Sequence, residues 1–250
     1  VAPRFWLWPN LLSLDAPVVA VLWQILFARC FHTVVTPAAA TLLALAVWLI
    51  YAADRVFDAR GESTLPRHEF YRRNWRAVAP IWLVVLALAA WLAWTHLPIS
   101  LFDRGMLVLA AAAVYLVLVH LAPLRRWPKE AAVAIVFALG ASLTAWERVQ
   151  TSADVGAILL FSCLCWINCV AIEKWEHDRH HWPVTLTAAC VALVAILLLS
   201  RERPVLSGAE TASALAFIAL DCARHRFSRD ALRVLADVAL LSPVLFLRIV

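Results

Sequence analysis

Two acidic clusters sit at the ends of long apolar runs. Asp54 and Asp58 close one run in the string AADRVFDAR, and Glu173, Glu176 and Asp178 close another in NCVAIEKWEHD. A carboxylate beside hydrocarbon is costly unless a cation or a water-filled cavity accepts it. Asp54 and Asp58 are spaced i,i+4, so a helix projects both from one face. Such a pair suits a hard divalent cation, and magnesium favours a few carboxylates combined with substrate phosphate oxygens. Asn168 and Glu176 are eight residues apart and fall within a quarter-turn of one helix face, with Glu173 and Asp178 as further oxygen donors. Arg67, Arg72, Arg73, Arg125, Arg126 and Lys129 lie in the segments between the clusters and are suited to a polyphosphate. The same acids also read as ordinary interfacial charges, Asp54 beside Arg55, Asp58 near Arg60, and the Glu173 cluster with Lys174 and Arg179.

The elements that must position these residues follow from composition. The chain has 250 residues, 64% hydrophobic and 16% charged, with a net charge of +5. A soluble domain carries about 25% charge, so this composition describes an all-α polytopic integral membrane protein. A crossing helix needs about 20 apolar residues. Nine stretches meet or approach that length: 16–33, 36–53, 77–97, 103–122, 130–149, 156–173, 182–200, 205–221 and 231–249. No cleavable leader is evident in the first of them. Residues 1–15 form an interfacial arm anchored by Trp6 and Trp8, and 16–250 one transmembrane domain. With the N-terminus in the cytoplasm, 16 of the 22 basic residues fall on the cytoplasmic side and 6 on the other. That asymmetry predicts a cytoplasmic (inner) membrane protein with its N-terminus inside and its C-terminus outside. It also brings both acidic clusters to the cytoplasmic face. The basic residues fit anionic lipid or a phosphate-bearing ligand, and no basic helix or aromatic-basic module points to nucleic acid.

On these residues the chain resembles the UbiA-type membrane prenyltransferases. ADRVFDAR, followed by an arginine-rich segment containing RHEFYRR, is similar to the family's first aspartate-rich motif, N-D-x-x-D-x-x-x-D, with its last two acids on Asp54 and Asp58. The second motif, laid on NCVAIEKWE, puts its asparagine on Asn168 and its last acid on Glu176. Ile50, Tyr51, Cys169 and Ile172 stand where the family has an asparagine and further acids. The resemblance implies a UbiA-like bundle of about nine helices and magnesium held by Asp54, Asp58, Glu176 and Asp178. It implies transfer of an isoprenyl group from an allylic diphosphate to an aromatic or lipid-like acceptor, with Asp54, Asp58 and Glu176 catalytic. Asn168, Arg67, Arg126, Lys129 and Glu173 would bind substrate. Trp48, Trp82 and Trp166 are candidate walls for the allylic cation through cation–π contact.

Two other readings compete. With its motifs altered, the chain could bind an isoprenoid or lipid in the membrane without turnover. His177, His180 and His181 also match the H-x-x-H-H box of membrane di-iron enzymes, although His32, His68, His96, His120 and His225 are isolated. The six cysteines, Cys30, Cys163, Cys165, Cys169, Cys190 and Cys222, lie in or beside apolar runs and read as small hydrophobes. Asp237 is expected to pair with Arg233 one turn earlier, and Glu210 to reach water near a helix end.

Overall fold

The computed structural model describes residues 5–58, 66–121, 129–177 and 182–249, without the side chains of 58, 66–72, 120, 121 and 177. Every regular element among the described residues is helical. A short 3-10 turn, Phe5–Leu7, leads into α1 (Trp8–Leu11), and the long helices are α2 (Asp15–Cys30), α3 (Pro37–Asp58), α4 (Pro66–His96), α5 (Ile99–Leu121), α6 (Lys129–Ser142) and α7 (Ser152–His177). They are followed by α8 (Val184–Leu199), α9 (Pro204–Ala223), α10 (Arg229–Ala239) and α11 (Pro243–Phe246). Local chemistry sets several starts. Pro37 and Pro204 open α3 and α9 where a missing N–H costs nothing. Thr36 Oγ1 accepts from Ala39 N at 3.2 Å, and Ser228 Oγ from Ala231 N at 3.2 Å.

Among the described residues, six helices are long and apolar enough to cross a membrane: Pro37–Phe57, Arg73–His96, Ile99–Val119, Lys129–Arg148, Ser152–Glu176 and Pro204–Arg226. Phe5–Leu11 and Asp15–Cys30 make a seventh only if their 72° bend is taken within one span. The expected nine is therefore not reached, for two separate reasons. α8 is apolar but has 16 residues, about 24 Å of helix against a hydrocarbon core of about 30 Å. The last stretch is broken, because α10 stops at Ala239 after 11 residues and Pro243 restarts the helix as α11. α10 also carries Arg229, Asp230, Arg233 and Asp237, too many charges for a lipid-facing segment. Ile81, Leu83, Val84, Trp91 and Trp94 on α4, and Leu107, Val114 and Val117 on α5, are exposed. Such a surface is untenable in water and ordinary against lipid. The protein is an all-α membrane protein.

Helix contacts divide the chain into two compact units. The first comprises Val1–Val21 and Thr36–Trp127, the second Leu22–Val35 and Pro128–Val250. In the first, α3 packs along α4, and indole N–H groups pin backbone carbonyls. Trp82 donates to Leu49 O at 3.0 Å and Trp48 to Leu12 O at 3.0 Å. In the second, α7 is the central helix, touching α6, α8, α9 and α10. Its core is aromatic: Trp23 stacks on Phe161 at 4.1 Å, flanked by Phe27 and Phe137. The C-terminal stretch runs the length of this unit. Asp237 meets α7, Leu240 O accepts from Trp23 Nε1 at 2.8 Å, and Leu247 O accepts from Arg29.

Candidate functional site

Asp54 belongs to the first unit, on the penultimate turn of α3, and is half-buried. Its neighbour Arg55 reaches back to the N-terminal arm, donating to Asn10 O at 2.6 Å, while Asn10 Nδ2 donates to Asp15. The last turn of α3 is thus tied to the bend between α1 and α2. Asp58 ends the helix, and its side chain lies outside the described residues, as do those of Arg67 and Arg72. Arg126, Asp178, His180 and His181 lie outside the described residues altogether, as does the side chain of His177. Above the Asp54 turn, a shallow groove of about 400 Å³ is lined by Leu12, Leu14, Trp48, Val78 and Ile81, with Asn74 as its one polar neighbour. Trp48 precedes Asp54 by six residues, about 9 Å along the helix. One helix therefore carries an apolar groove and, beyond it, a carboxylate end.

The second unit holds Asn168, Glu173 and Glu176 on α7 and Lys129 at the exposed start of α6. Asn168 Nδ2 donates to Asp237 Oδ1 at 3.1 Å. Glu176 is 7% exposed and receives Arg233 Nε at 2.6 Å, with Arg233 itself 6% exposed. Arg233 Nη2 also donates to Asp230 at 3.0 Å. α10 has fastened itself to α7 through the two residues expected to hold substrate and metal. A guanidinium already neutralises Glu176, so a metal ion there would have to displace it. Glu173 is half-buried on the same helix end. Among the described residues no group of three or more His, Cys, Asp or Glu side chains is placed to hold a metal ion. Trp166, a candidate cation wall, meets Trp182 edge-on at 5.2 Å.

Two polar centres of the second unit escape the sequence reading, and a third overturns it. Asp221, on the last turn of α9, accepts from Lys174 Nζ at 3.2 Å, Trp175 Nε1 at 3.1 Å, Thr185 Oγ1 at 2.9 Å and Arg224 Nη1 at 3.2 Å. It joins the ends of α7, α8 and α9. At the opposite end of the unit, Asp154 accepts from the backbone of Gln150 and Thr151 at 2.9 Å each and from Arg203 Nε at 2.8 Å. Arg203 then donates to Cys30 O at 2.8 Å and lies 4.6 Å over the Phe31 ring. The signal for Asp154 was local: Thr151-Ser-Ala-Asp154 is a capping box, completed by Asp154 N donating to Thr151 Oγ1 at 3.2 Å. Only Arg224, three residues on, marks Asp221 locally; its partners Lys174, Trp175 and Thr185 are remote in sequence. The third centre corrects an expectation. Glu210 does not reach water. It is fully buried, because it lies six residues inside α9, about 9 Å from Pro204, on the face that packs inward with Ser207 and Ser213.

No family model, curated protein or solved structure matches the chain. The likeness to the UbiA-type enzymes accordingly rests on the short motifs around Asp54, Asp58, Asn168 and Glu176 alone.

Proposed function

We propose that this membrane protein binds an isoprenyl diphosphate where α3 ends and transfers its prenyl group to an aromatic or lipid-like acceptor. One observation carries the reading: the apolar groove at Trp48 and the carboxylate end at Asp54 lie about 9 Å apart on one helix. An amphiphile with a prenyl tail and a charged head has that division. Exposed Arg73 and Arg76 on α4 flank Asn74 and add positive charge on the head-group side. Asp54 and, by its i,i+4 spacing in the sequence, Asp58 would hold magnesium against the diphosphate; Glu176 does not fit as a ligand while Arg233 holds it. The positive-inside bias supports placing this end of α3 on the cytoplasmic side of an inner membrane, with the N-terminus inside. Arg67 and Arg126 remain proposed contacts of the same reading.

A second reading, binding without turnover, is favoured by the Glu176–Arg233 pair, which leaves one expected ligand committed to structure. Both readings are tested by binding a non-hydrolysable isoprenyl diphosphate analogue to the purified protein, with and without magnesium. Asp54→Ala/Asp58→Ala and Trp48→Ala are run beside it. Magnesium-dependent binding lost in the first variant and weakened for long prenyl chains in the second supports the site. Release of diphosphate with an acceptor present then separates transfer from binding alone. Equal binding by wild type and Asp54→Ala/Asp58→Ala would sink both readings.

A further inference from the structure

The second unit contains a carboxyl group that none of this uses. Glu210 is 0% exposed, and neither carboxylate oxygen has a hydrogen-bond partner among the described residues. Its surroundings on α9 offer hydroxyl groups and no cationic donor. Ser207, one turn before it, spends its hydroxyl hydrogen on Ala195 O at 2.9 Å. Ser213, one turn after, spends its own on Ser242 Oγ at 2.8 Å. Residues three apart share a helix face, so both serines turn lone pairs, not hydrogens, toward the Glu210 stripe.

A second orphan lies at the same depth. Gln24 on α2 is 3% exposed, and its Oε1 has no partner among the described residues. Arg203 Nη1 is bonded to Cys30 O, which fixes the relative height of α2 and α9. Gln24 is six residues from Cys30, and Glu210 seven from Arg203. From that anchor α2 leads back along α7, with Trp23 on Phe161, and α9 runs along α7 from Asp154 to Lys174, so each side chain sits about 9 to 11 Å from the anchor. Thr211 Oγ1, beside Glu210, is likewise buried without a partner among the described residues. The unpartnered groups are all oxygens. A fully buried carboxylate with no cationic partner among the described residues cannot stand as a bare charge. Oxygen donors of this kind select a hard cation over a soft one.

We propose that Glu210 is the centre of a membrane-embedded binding site for a small monovalent cation, a sodium ion or a proton, completed by Gln24 Oε1 and the α9 hydroxyl oxygens. The site is separate from the Asp54 end of α3 and does not depend on any diphosphate chemistry. Few other charges bear on it. Cys30 on α2 and Cys163 on α7 lie within electrostatic reach of Glu210. α8 contributes only Cys190 as a titratable group and α11 none. The charges of α10 are engaged near α7, with Arg233 on Glu176 and Asp237 on Asn168. On α7 itself, Asp154 is held by Arg203 at one end, while Glu173, Lys174 and Glu176 lie at the other.

The test is the thermal stability of the full chain in detergent, wild type beside Glu210→Gln. Sodium chloride is titrated against choline chloride at constant ionic strength, and pH is varied without sodium. A sodium site raises the wild-type Tm logarithmically once sodium exceeds its Kd, by about 3–6 °C at ten times Kd, while Glu210→Gln stays flat. A proton site gives no sodium response; the wild-type Tm falls as rising pH strips the proton, and the fall is absent in Glu210→Gln. Should Glu210→Gln fail to fold, labelling of wild-type Glu210 by a hydrophobic carbodiimide, read by peptide mass, replaces it. Suppression of that adduct by sodium, or by raised pH, supports the site. Identical sodium and pH responses in wild type and Glu210→Gln, or labelling indifferent to both, overturn it.

Discussion

Arg233→Met should be among the most damaging single substitutions in the chain. It strips the guanidinium from Glu176, whose carboxylate is 7% exposed and pressed against α7 and α10. Breaking a buried ion pair from one side costs about 3–5 kcal/mol, chiefly through the charge left behind. Glu176→Leu should fall at the lower end of that range, because Arg233 keeps Asp230 at 3.0 Å and Asp230 is 45% exposed to solvent. For a chain of this size, about 2–4 °C of Tm accompanies each kcal/mol, so Arg233→Met should lower Tm by roughly 6–20 °C. The double variant Glu176→Leu/Arg233→Met leaves no buried unpaired charge, only the solvent-exposed Asp230, and should recover most of the loss. The assay is a double-mutant cycle on thermal unfolding in detergent, followed by size-exclusion recovery. A coupling energy of about 2 kcal/mol or more is expected. Losses that simply add, with coupling below about 0.5 kcal/mol, would refute the claim that this pair fastens α10 to α7.

Asp221→Leu removes the acceptor shared by Lys174, Trp175, Thr185 and Arg224. It should cost about 3–5 kcal/mol and loosen the junction of α7, α8 and α9, seen as increased proteolysis near residues 174–185. Gly208→Ala should be worse than Gly156→Ala. A Cβ at Gly208 would sit 2.6 Å from the Phe246 ring, which cannot yield easily, whereas at Gly156 it meets the mobile end of Leu198 at 2.3 Å. About 1–3 kcal/mol is expected at Gly208, and less at Gly156, from paired melting curves. Thr151→Ala should cost about 1 kcal/mol by opening the capping box, while Asp154→Ala costs several times more because it also strands Arg203. Equal melting temperatures for Thr151→Ala and Asp154→Ala would contradict that division.

What the sequence could reveal was set by the range of each interaction. Membrane-length helices are announced by composition, so α3, α4, α5, α7 and α9 were legible from apolar length alone. Their starts at Pro37 and Pro204 are local as well, and the capping box at Thr151 could have been read. The stretch 231–249 was misread as one span because its mean hydropathy is high while its break depends on backbone geometry at Leu240–Ser242. Pairings across the bundle were not legible. Arg233 keeps a local partner in Asp230, and its guanidinium also crosses to Glu176 on another helix, while Asp237 takes the Asn168 amide. An i,i+4 rule ranks local partners only when no deeper carboxylate competes. Glu176, desolvated on α7, gains more from a charge-assisted bond than exposed water-facing groups do.

Depth, more than residue type, separates the acids of the second unit by role. At one end Asp154 is closed by Arg203 and two backbone N–H groups; at the other Glu176 and Asp221 are closed by Arg233, Lys174, Thr185 and Trp175. These acids are satisfied and hold helices together, which is the simplest reason for a carboxylate at a helix end. Glu210 lies between the two ends, with no partner for either oxygen among the described residues. A protein built only for stability would place leucine there, since an apolar side chain of similar volume fills the space without desolvating a charge. Glu210→Leu should therefore raise the melting temperature of the unliganded protein, by about 2–4 °C for each kcal/mol gained, while abolishing its response to sodium and pH. A lower melting temperature for Glu210→Leu would mean that the carboxyl is held by partners after all, and would assign it to structure.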